Sequence, residues 1–304
     1  MSIKVEDFTK KYGKQVAVDN ISFSIKKGEI VGFIGPNGSG KSTTMKCICG
    51  ILPPDHGKIE VLGRNIQEDV LTVKKRIGYL PENNPLYPDM YVKEYLVHVD
   101  RYYGKSEKRR TRIDEAIEST GLGSEASKKI GQLSKGFRQR VGLAQAIIHD
   151  PEVLILDEPT TGLDPNQILE IRKLISGLAE NKTVLLSTHI LQEVEAICDR
   201  VIVINKGSLV ANTSSESIRK GQSEDVQTIL VEFGKKMSSD ALNKIPEIDQ
   251  IQQISDKSFL VAGKSQKDLR ELIFKFSSEN DLPLLTIQKK EETLEEAFRK
   301  LTRN

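Results

Sequence analysis

Three short apolar runs stand out along a largely polar chain: Ile30-Val31-Gly32-Phe33-Ile34, Val153-Leu154-Ile155-Leu156 and Val184-Leu185-Leu186. None of them alternates with polar positions, so each predicts a strand buried on both faces, as in a parallel sheet flanked by helices. Each run also ends in chemistry: a Gly-rich loop after Ile34, Asp157-Glu158 after Leu156, and Ser187-Thr188-His189 after Leu186. The carboxyl ends of such strands are where open α/β sheets bind ligands. A further strand is predicted over residues 57–62, after a turn at Gly57. Residues 42–49 read as a helix leaving the Gly-rich loop, stopped by Gly50 and Pro53-Pro54. Residues 89–149 predict a mostly helical insert. At its start Tyr87, Tyr91 and Tyr95 recur at i, i+4 and i+8, the spacing of one helix face.

Beyond residue 215 the pattern changes. From Val226 it predicts strand (226–233), helix (239–245), strand (248–254), strand (258–262), helix (266–279), strand (283–288) and helix (293–302). Leu269, Leu272, Ile273 and Phe276 share one helix face, as do Leu294, Ala297, Phe298 and Leu301 behind a Thr293…Glu296 capping box. This β-α-β-β-α-β order predicts a small α+β unit of ferredoxin-like type. The expected division is therefore a domain over 1–215 and a C-terminal accessory domain over 216–304.

Composition adds exclusions. The 304 residues are 29% charged and 38% hydrophobic, with a formal charge of +2, which lacks the basic excess of a nucleic-acid binder. No apolar run approaches the roughly 18 residues that cross a bilayer. The opening Met-Ser-Ile-Lys-Val-Glu-Asp is polar and predicts no secretory signal. Three cysteines cannot all pair within one chain, and no His/Cys set matches a zinc site, so reduced, buried thiols are expected.

Gly35-Pro36-Asn37-Gly38-Ser39-Gly40-Lys41-Ser42 matches the full phosphate-binding loop G-x-x-x-x-G-K-[ST]. Its backbone N–H groups, with those of Thr43 and the helix start, are suited to wrap a triphosphate. Lys41 supplies a charge at the β/γ-phosphates and Ser42 a hydroxyl for Mg²⁺. Asp157, at a strand end, is suited to hold the same Mg²⁺. Glu158, one residue on, points away from it and can orient or deprotonate an attacking water. His189 follows a third strand end, which favours a hydrogen bond to the γ-phosphate. The bland readings are solvated acids at a strand end and a structural histidine; beside a P-loop they give way. His56, His98 and His149 have no such setting.

Between these elements lies Leu133-Ser134-Lys135-Gly136-Phe137-Arg138-Gln139-Arg140, where Ser134 is a good N-cap. A second anion-binding helix end has no obvious use in one chain, but it has one in a head-to-tail dimer.

The order P-loop, Leu-Ser-x-Gly signature, Asp157-Glu158 and His189 resembles the ATP-binding cassette family over residues 1 to about 215. The resemblance implies a P-loop NTPase cassette with a RecA-like core, an antiparallel β subdomain and an inserted helical subdomain. It further implies a dimer in which two chains sandwich two ATP molecules with Mg²⁺. In that scheme Tyr12 stacks on adenine with Val18 as a weaker contact, and Ser134, Lys135 and Gly136 reach the partner's γ-phosphate. Gly162-Leu163-Asp164-Pro165 matches the D-loop that bridges the two sites, and is also a plain turn into a helix at Pro165.

Two departures stand out. Gly78-Tyr79-Leu80-Pro81-Glu82 places Glu82 where the family's Q-loop usually has Gln. A carboxylate there can still ligate Mg²⁺. The signature has Lys135 where Gly is common and Phe137 where Gln is common. Slow but intact hydrolysis is expected.

The wording around residues 81–88 and 133–140 is similar to the ATPase subunits of ABC-2 type exporters, and within them to the gliding-motility-associated subunits of Bacteroidetes. This implies a cytoplasmic protein, peripheral on the inner face of the membrane, that drives integral permease subunits. The basic stretch Lys105, Lys108, Arg109, Arg110 and Arg112 reads as a solvated helix start, or else as an attraction to anionic lipid. The alternative function is a soluble cassette acting on ribosomes or DNA, but such chains carry two cassettes or long coiled coils, and neither is visible. A non-enzymatic ATP sensor would lack Glu158, which is present.

Overall fold

In chain order the elements are β1 (Ile3–Tyr12), β2 (Gln15–Ile25), β3 (Ile30–Ile34), α1 (Lys41–Ile48), β4 (His56–Val61), β5 (Arg64–Asn65), α2 (Val70–Lys74) and β6 (Ile77–Leu80). Then come α3 (Val92–Asp100), α4 (Arg109–Ser119), α5 (Lys135–Ile147), β7 (Val153–Asp157), α6 (Pro165–Ala179), β8 (Thr183–Thr188), α7 (Leu191–Ile197), β9 (Arg200–Asn205) and β10 (Ser208–Ser214). The last are β11 (Val226–Phe233), β12 (Gln250–Gln253), β13 (Ser258–Lys264), α8 (Leu269–Glu279) and β14 (Leu284–Lys289). The computed structural model describes residues 1–103, 109–214, 226–265 and 268–290. The chain divides after Ser215 into two compact units.

In the first unit the continuous apolar runs become the middle of a six-stranded sheet of order β10-β9-β3-β8-β7-β6. All its pairings are parallel except β9 with β10. Every residue of β7 and β8 is buried, which explains why these strands show no polar alternation. Register brings the chemistry level. Ile34 lies opposite Thr188 on one side and Val203 on the other, and Asp157 lies opposite Ser187. A second, antiparallel sheet, β2-β1-β4-β5, shares one core with the first through Phe8, Phe23, Phe33, Met45 and Ile59.

The insert between β6 and β7 packs α3, α4 and α5 around Leu96, Ile113, Leu122, Ile130 and Val141. Asp100 is fully buried there, and accepts from Arg109 Nε (2.7 Å) and Arg112 Nε (3.1 Å). Two cations on one buried carboxylate tie the start of α4 to the end of α3, so these arginines serve the insert's own packing. Arg110 is solvated and lies 4.0 Å from Asp114; Lys105 and Lys108 fall outside the described residues. The three tyrosines do not share a helix. Pro88 and Asp89 turn the chain, α3 starts only at Val92, Tyr91 is its N-cap, and Tyr87 packs edge-on against the buried Tyr95 at 5.9 Å from the preceding loop.

Cys47, Cys49 and Cys198 are buried free thiols. Burial pushes Cys47 and Cys198 up to about 12 and Cys49 well above its ordinary value.

The second unit is an antiparallel sheet of order β12-β13-β11-β14. That order and the β-turn-β-β-α-β sequence match the predicted ferredoxin-like unit. The expected helix over 239–245 is a 3₁₀ turn, Ser239–Lys244, and the strand over 258–262 runs on to Lys264. One face of α8, with Leu269, Ile273 and Phe276, packs on Ile229, Val231, Phe259 and Val261. The helix predicted at 293–302 lies outside the described residues.

Candidate nucleotide-binding site

The P-loop lies between β3 and α1, and its glycines are demanded by space as well as torsion. A Cβ on Gly35 would stand 2.2 Å from the Ile204 carbonyl oxygen. Gly40 takes φ +108° with Ala17 O 2.7 Å from where its Cβ would be. The loop is thus wedged between β2 and β9. Lys41, itself buried, donates from Nζ to the carbonyls of Gly35 (2.8 Å) and Pro36 (3.2 Å), and stands 3.7 Å from Glu158 Oε1.

Asp157 and Glu158 leave the end of β7 in opposite directions. Asp157 Oδ1 accepts from Ser42 Oγ (3.1 Å) and from Ser187 Oγ (2.6 Å). Ser187 Oγ in turn accepts from the Glu158 backbone N–H (2.9 Å). One hydroxyl on β8 therefore ties both acids in place. Glu158 adopts φ +51°, a left-handed conformation that costs on the order of 1–3 kcal/mol in a non-glycine residue. Its side chain is held from three sides: His189 Nδ1 at 2.7 Å, Thr161 Oγ1 at 3.0 Å, and the Lys41 ammonium.

These groups face a cavity of about 880 Å³. Of the residues expected at the site, Tyr12, Asn37, Gly38, Gly40, Lys41, Ser42, Thr43, Glu82, Glu158 and His189 line it. Gly35 and Ser39 are buried in the loop and Pro36 is exposed on it, all three outside the lining, and Asp157 is buried behind Ser42. Val18 does not reach the cavity. It is fully buried in the core under Gly40, and its neighbours Val16 and Ala17 line the wall instead. The β1–β2 register, irregular between Phe8 and Lys11, decides which residue of β2 faces inward, and no sequence pattern shows it. Gln15, Thr161 and Lys206 also line the cavity without having been expected. Thr161, three residues past Glu158, was within reach of a spacing argument; Lys206 arrives from a distant hairpin.

Ser134, Lys135, Gly136 and Asp164 lie elsewhere. Ser134 caps α5 by accepting from Phe137 N–H (3.3 Å), and Asp164 caps α6 by accepting from Gln167 N–H (3.0 Å). A Cβ on Gly162 would meet Lys135 Nζ at 2.0 Å, and one on Gly136 would meet Gln167 at 2.9 Å. The signature and the D-loop thus pack on each other, and none of these four residues lines the cavity.

The donor set suits a hard cation. A hydroxyl and a carboxylate oxygen 3.1 Å apart match Mg²⁺, which takes one or two protein oxygens and completes its shell with phosphate and water. Among the described residues no group of three or more His, Cys, Asp or Glu could hold a metal.

A P-loop on a parallel sheet, a carboxylate pair at the next strand end and a histidine at the third define a nucleoside-triphosphate hydrolase. The chain belongs to the ATP-binding cassettes of the ABC transporter family, and it is an ATPase. The family's model matches residues 18–161, under the description "ABC transporter". The bacitracin transport ATP-binding protein BcrA of Bacillus licheniformis is 35% identical over 98% of this chain and 96% of its own length. The linearmycin resistance ATP-binding protein LnrL of Bacillus subtilis is 32% identical over 99% and 98%. The Nod factor export ATP-binding protein I of Burkholderia orbicola is 40% identical over 72% and 73%. Among solved structures, a dimeric ATP-binding cassette in a post-hydrolysis state with ADP and Pi is 29% identical, with TM-score 0.64 over 70% of this chain and 98% of its own. Among the described residues no helix is long and apolar enough to cross a membrane.

Proposed function

We propose that this chain is the ATP-hydrolysing subunit of an ABC-2 type membrane exporter and works as a homodimer closed around two MgATP. The observation that carries this reading is the division of chemistry over two surfaces. Hydrolytic groups converge on the cavity, while Ser134, Lys135, Gly136 and Asp164 do not line it and are left for a nucleotide held by a second copy. Relatives in bacitracin transport, linearmycin resistance and Nod factor export support the exporter assignment. The link to gliding motility rests only on the wording around residues 81–88 and 133–140. No observation favours action on ribosomes or DNA. Residues 216–304 are read as an accessory domain that supports dimerisation or caps the cassette.

In this mechanism the P-loop amides and Lys41 hold the triphosphate, Ser42 and Asp157 would hold Mg²⁺, and Glu82, which lines the same cavity, would add a carboxylate to its shell. Bound Mg²⁺ neutralises charge that develops on the transferred phosphoryl group. Glu158 takes a proton from the attacking water or orients it. His189, hydrogen-bonded through Nδ1 to Glu158, lines the same cavity and is placed to hydrogen-bond the γ-phosphate. The preset turn at Glu158 means its carboxylate needs little rearrangement to meet that water.

Tagged Glu158→Gln protein purified from native membranes with MgATP tests the reading. The expected result is a polytopic membrane protein in equal amount and a dimer that dissociates without nucleotide. Ribosomes or DNA recovered without a membrane partner would overturn it.

A further inference from the structure

The nucleotide cavity holds a second cation that none of the recognised motifs contains. Lys206 sits in the hairpin turn between β9 and β10 and lines the cavity with Tyr12, Gln15, Val16 and Ala17. That turn is stitched to the nucleotide-binding backbone. Gly207 N–H donates to Ser39 O in the P-loop (3.0 Å), and Gly207 O accepts from Asp19 N–H on β2 (2.9 Å). A Cβ on Gly207 would lie 3.0 Å from Ala17 O, so the turn abuts the wall that carries the base-stacking tyrosine's hairpin. Lys206 itself takes φ +47°, a torsion that Gly or Asn would adopt at less cost. A lysine in a strained turn, fixed against the P-loop and set into the mouth of a phosphate site, has a charge to deliver there.

The cavity's other groups say where. Lys41 lies 3.7 Å from Glu158, which His189 also contacts, so its charge serves the hydrolytic groups. The Lys206 turn meets the P-loop at Ser39 and β2 at Ala17, beside the β1–β2 hairpin that carries Tyr12. Resting on the reading of this cavity as the ATP site, we infer that Lys206 is a nucleotide-binding residue that contacts the ribose–α-phosphate segment. It would bind ATP and ADP alike and take no part in the chemical step. An ammonium is a compact point charge suited to one phosphate oxygen, and at a partly exposed cavity mouth its pull is weakened by salt.

Calorimetric titration of the full-length protein with MgATP and MgADP, beside steady-state phosphate release, tests this. For Lys206→Ala the dissociation constants of both nucleotides should rise by the same factor, roughly 3- to 10-fold, with kcat at saturating ATP unchanged. Lys206→Arg should restore binding, and the gap should shrink between 50 mM and 500 mM salt. Lys206→Gly should bind as weakly as the alanine variant while melting at a higher temperature, which separates the charge from the strained backbone. Unchanged affinities would overturn the proposal. So would a loss confined to ATP, which would put the charge at the γ-phosphate, or an equal loss that arginine fails to restore. Lys41→Ala run in parallel keeps the two readings apart. If that variant also binds normally, the cavity is not the nucleotide site; if it alone loses binding, only the role of Lys206 fails.

Discussion

The two units of this chain bury their sheets in different ways, and the difference marks where chemistry can reside. In the parallel sheet, β7 and β8 are enclosed from end to end, and the enclosed set includes Asp157, Ser187 and Thr188. In the antiparallel sheet, β13 alternates, with Phe259 and Val261 buried and Leu260 and Ala262 half-buried. Among the described residues of the C-terminal unit only Ser277 is a buried polar group, whereas the first unit buries Lys41, Asp157 and Glu158 close together. Burying charge is costly unless each group has a partner. The first unit meets that cost with a network in which Ser42, Ser187, Thr161, Lys41 and His189 each hold an acid. The second unit avoids it altogether, and its core is built for packing alone.

The largest test of this contrast is chemical. Glu158→Gln should lower phosphate release on the order of 10²- to 10⁴-fold while MgATP still binds, because only the proton acceptor is lost. Turnover at the parental rate would place the base elsewhere. The matching change in the other core is Phe259→Ala, which empties a fully buried ring site. It should cost about 3–5 kcal/mol of stability in the C-terminal unit. Scanning calorimetry should show that loss, with ATP affinity at low temperature unchanged; a matching loss of ATP affinity would mean the two units are energetically one.

A third test uses pH. His149 stacks on Tyr103 at 3.9 Å and faces the Ile77 carbonyl at 3.0 Å, and burial lowers its pKa from 6.5 to about 4. Between those values the unfolded chain binds the proton and the folded chain does not. This contribution to stability is therefore complete above pH 6.5 and is lost as pH falls towards 4, amounting to at most about 3 kcal/mol. Denaturant melts across this window should show the slope, and His149→Phe should flatten it. The mildest change is Gly78→Ala, whose Cβ would meet the Ala146 carbonyl oxygen at 2.1 Å. Separating β6 from α5 should cost about 1–3 kcal/mol and lower the melting temperature without altering the cavity.

The parts of the site legible in the sequence are those set by local spacing. The P-loop and Asp157-Glu158 each lie within a few residues of a buried strand end, so periodicity and motif locate them together. The same holds for His189. What stayed hidden depends on pairing between distant segments. Ser187 matters because parallel register sets it opposite Asp157. Lys206 enters because β9 runs beside β3. Val18 and Val16 are set apart by the register shift between Lys10 and Lys11 in the β1–β2 hairpin. In the insert, i to i+4 spacing placed three tyrosines on one helix, but Pro88 keeps Tyr87 off it. In the C-terminal unit, the β-α-β-β-α-β succession of elements was legible along the chain, while propensity over 239–245 could not distinguish an α-helix from a 3₁₀ turn.

The three enclosed thiols have a practical consequence. Thiolate is the species that reacts with maleimides and oxidants, and burial leaves Cys47, Cys49 and Cys198 almost wholly protonated at neutral pH. The native chain is therefore chemically silent towards sulfur-directed dyes while it stays folded. A single cysteine placed at an open position such as Leu71, on α2, would carry a fluorophore alone. Nucleotide binding could then be followed in real time without removing a single native residue from its core.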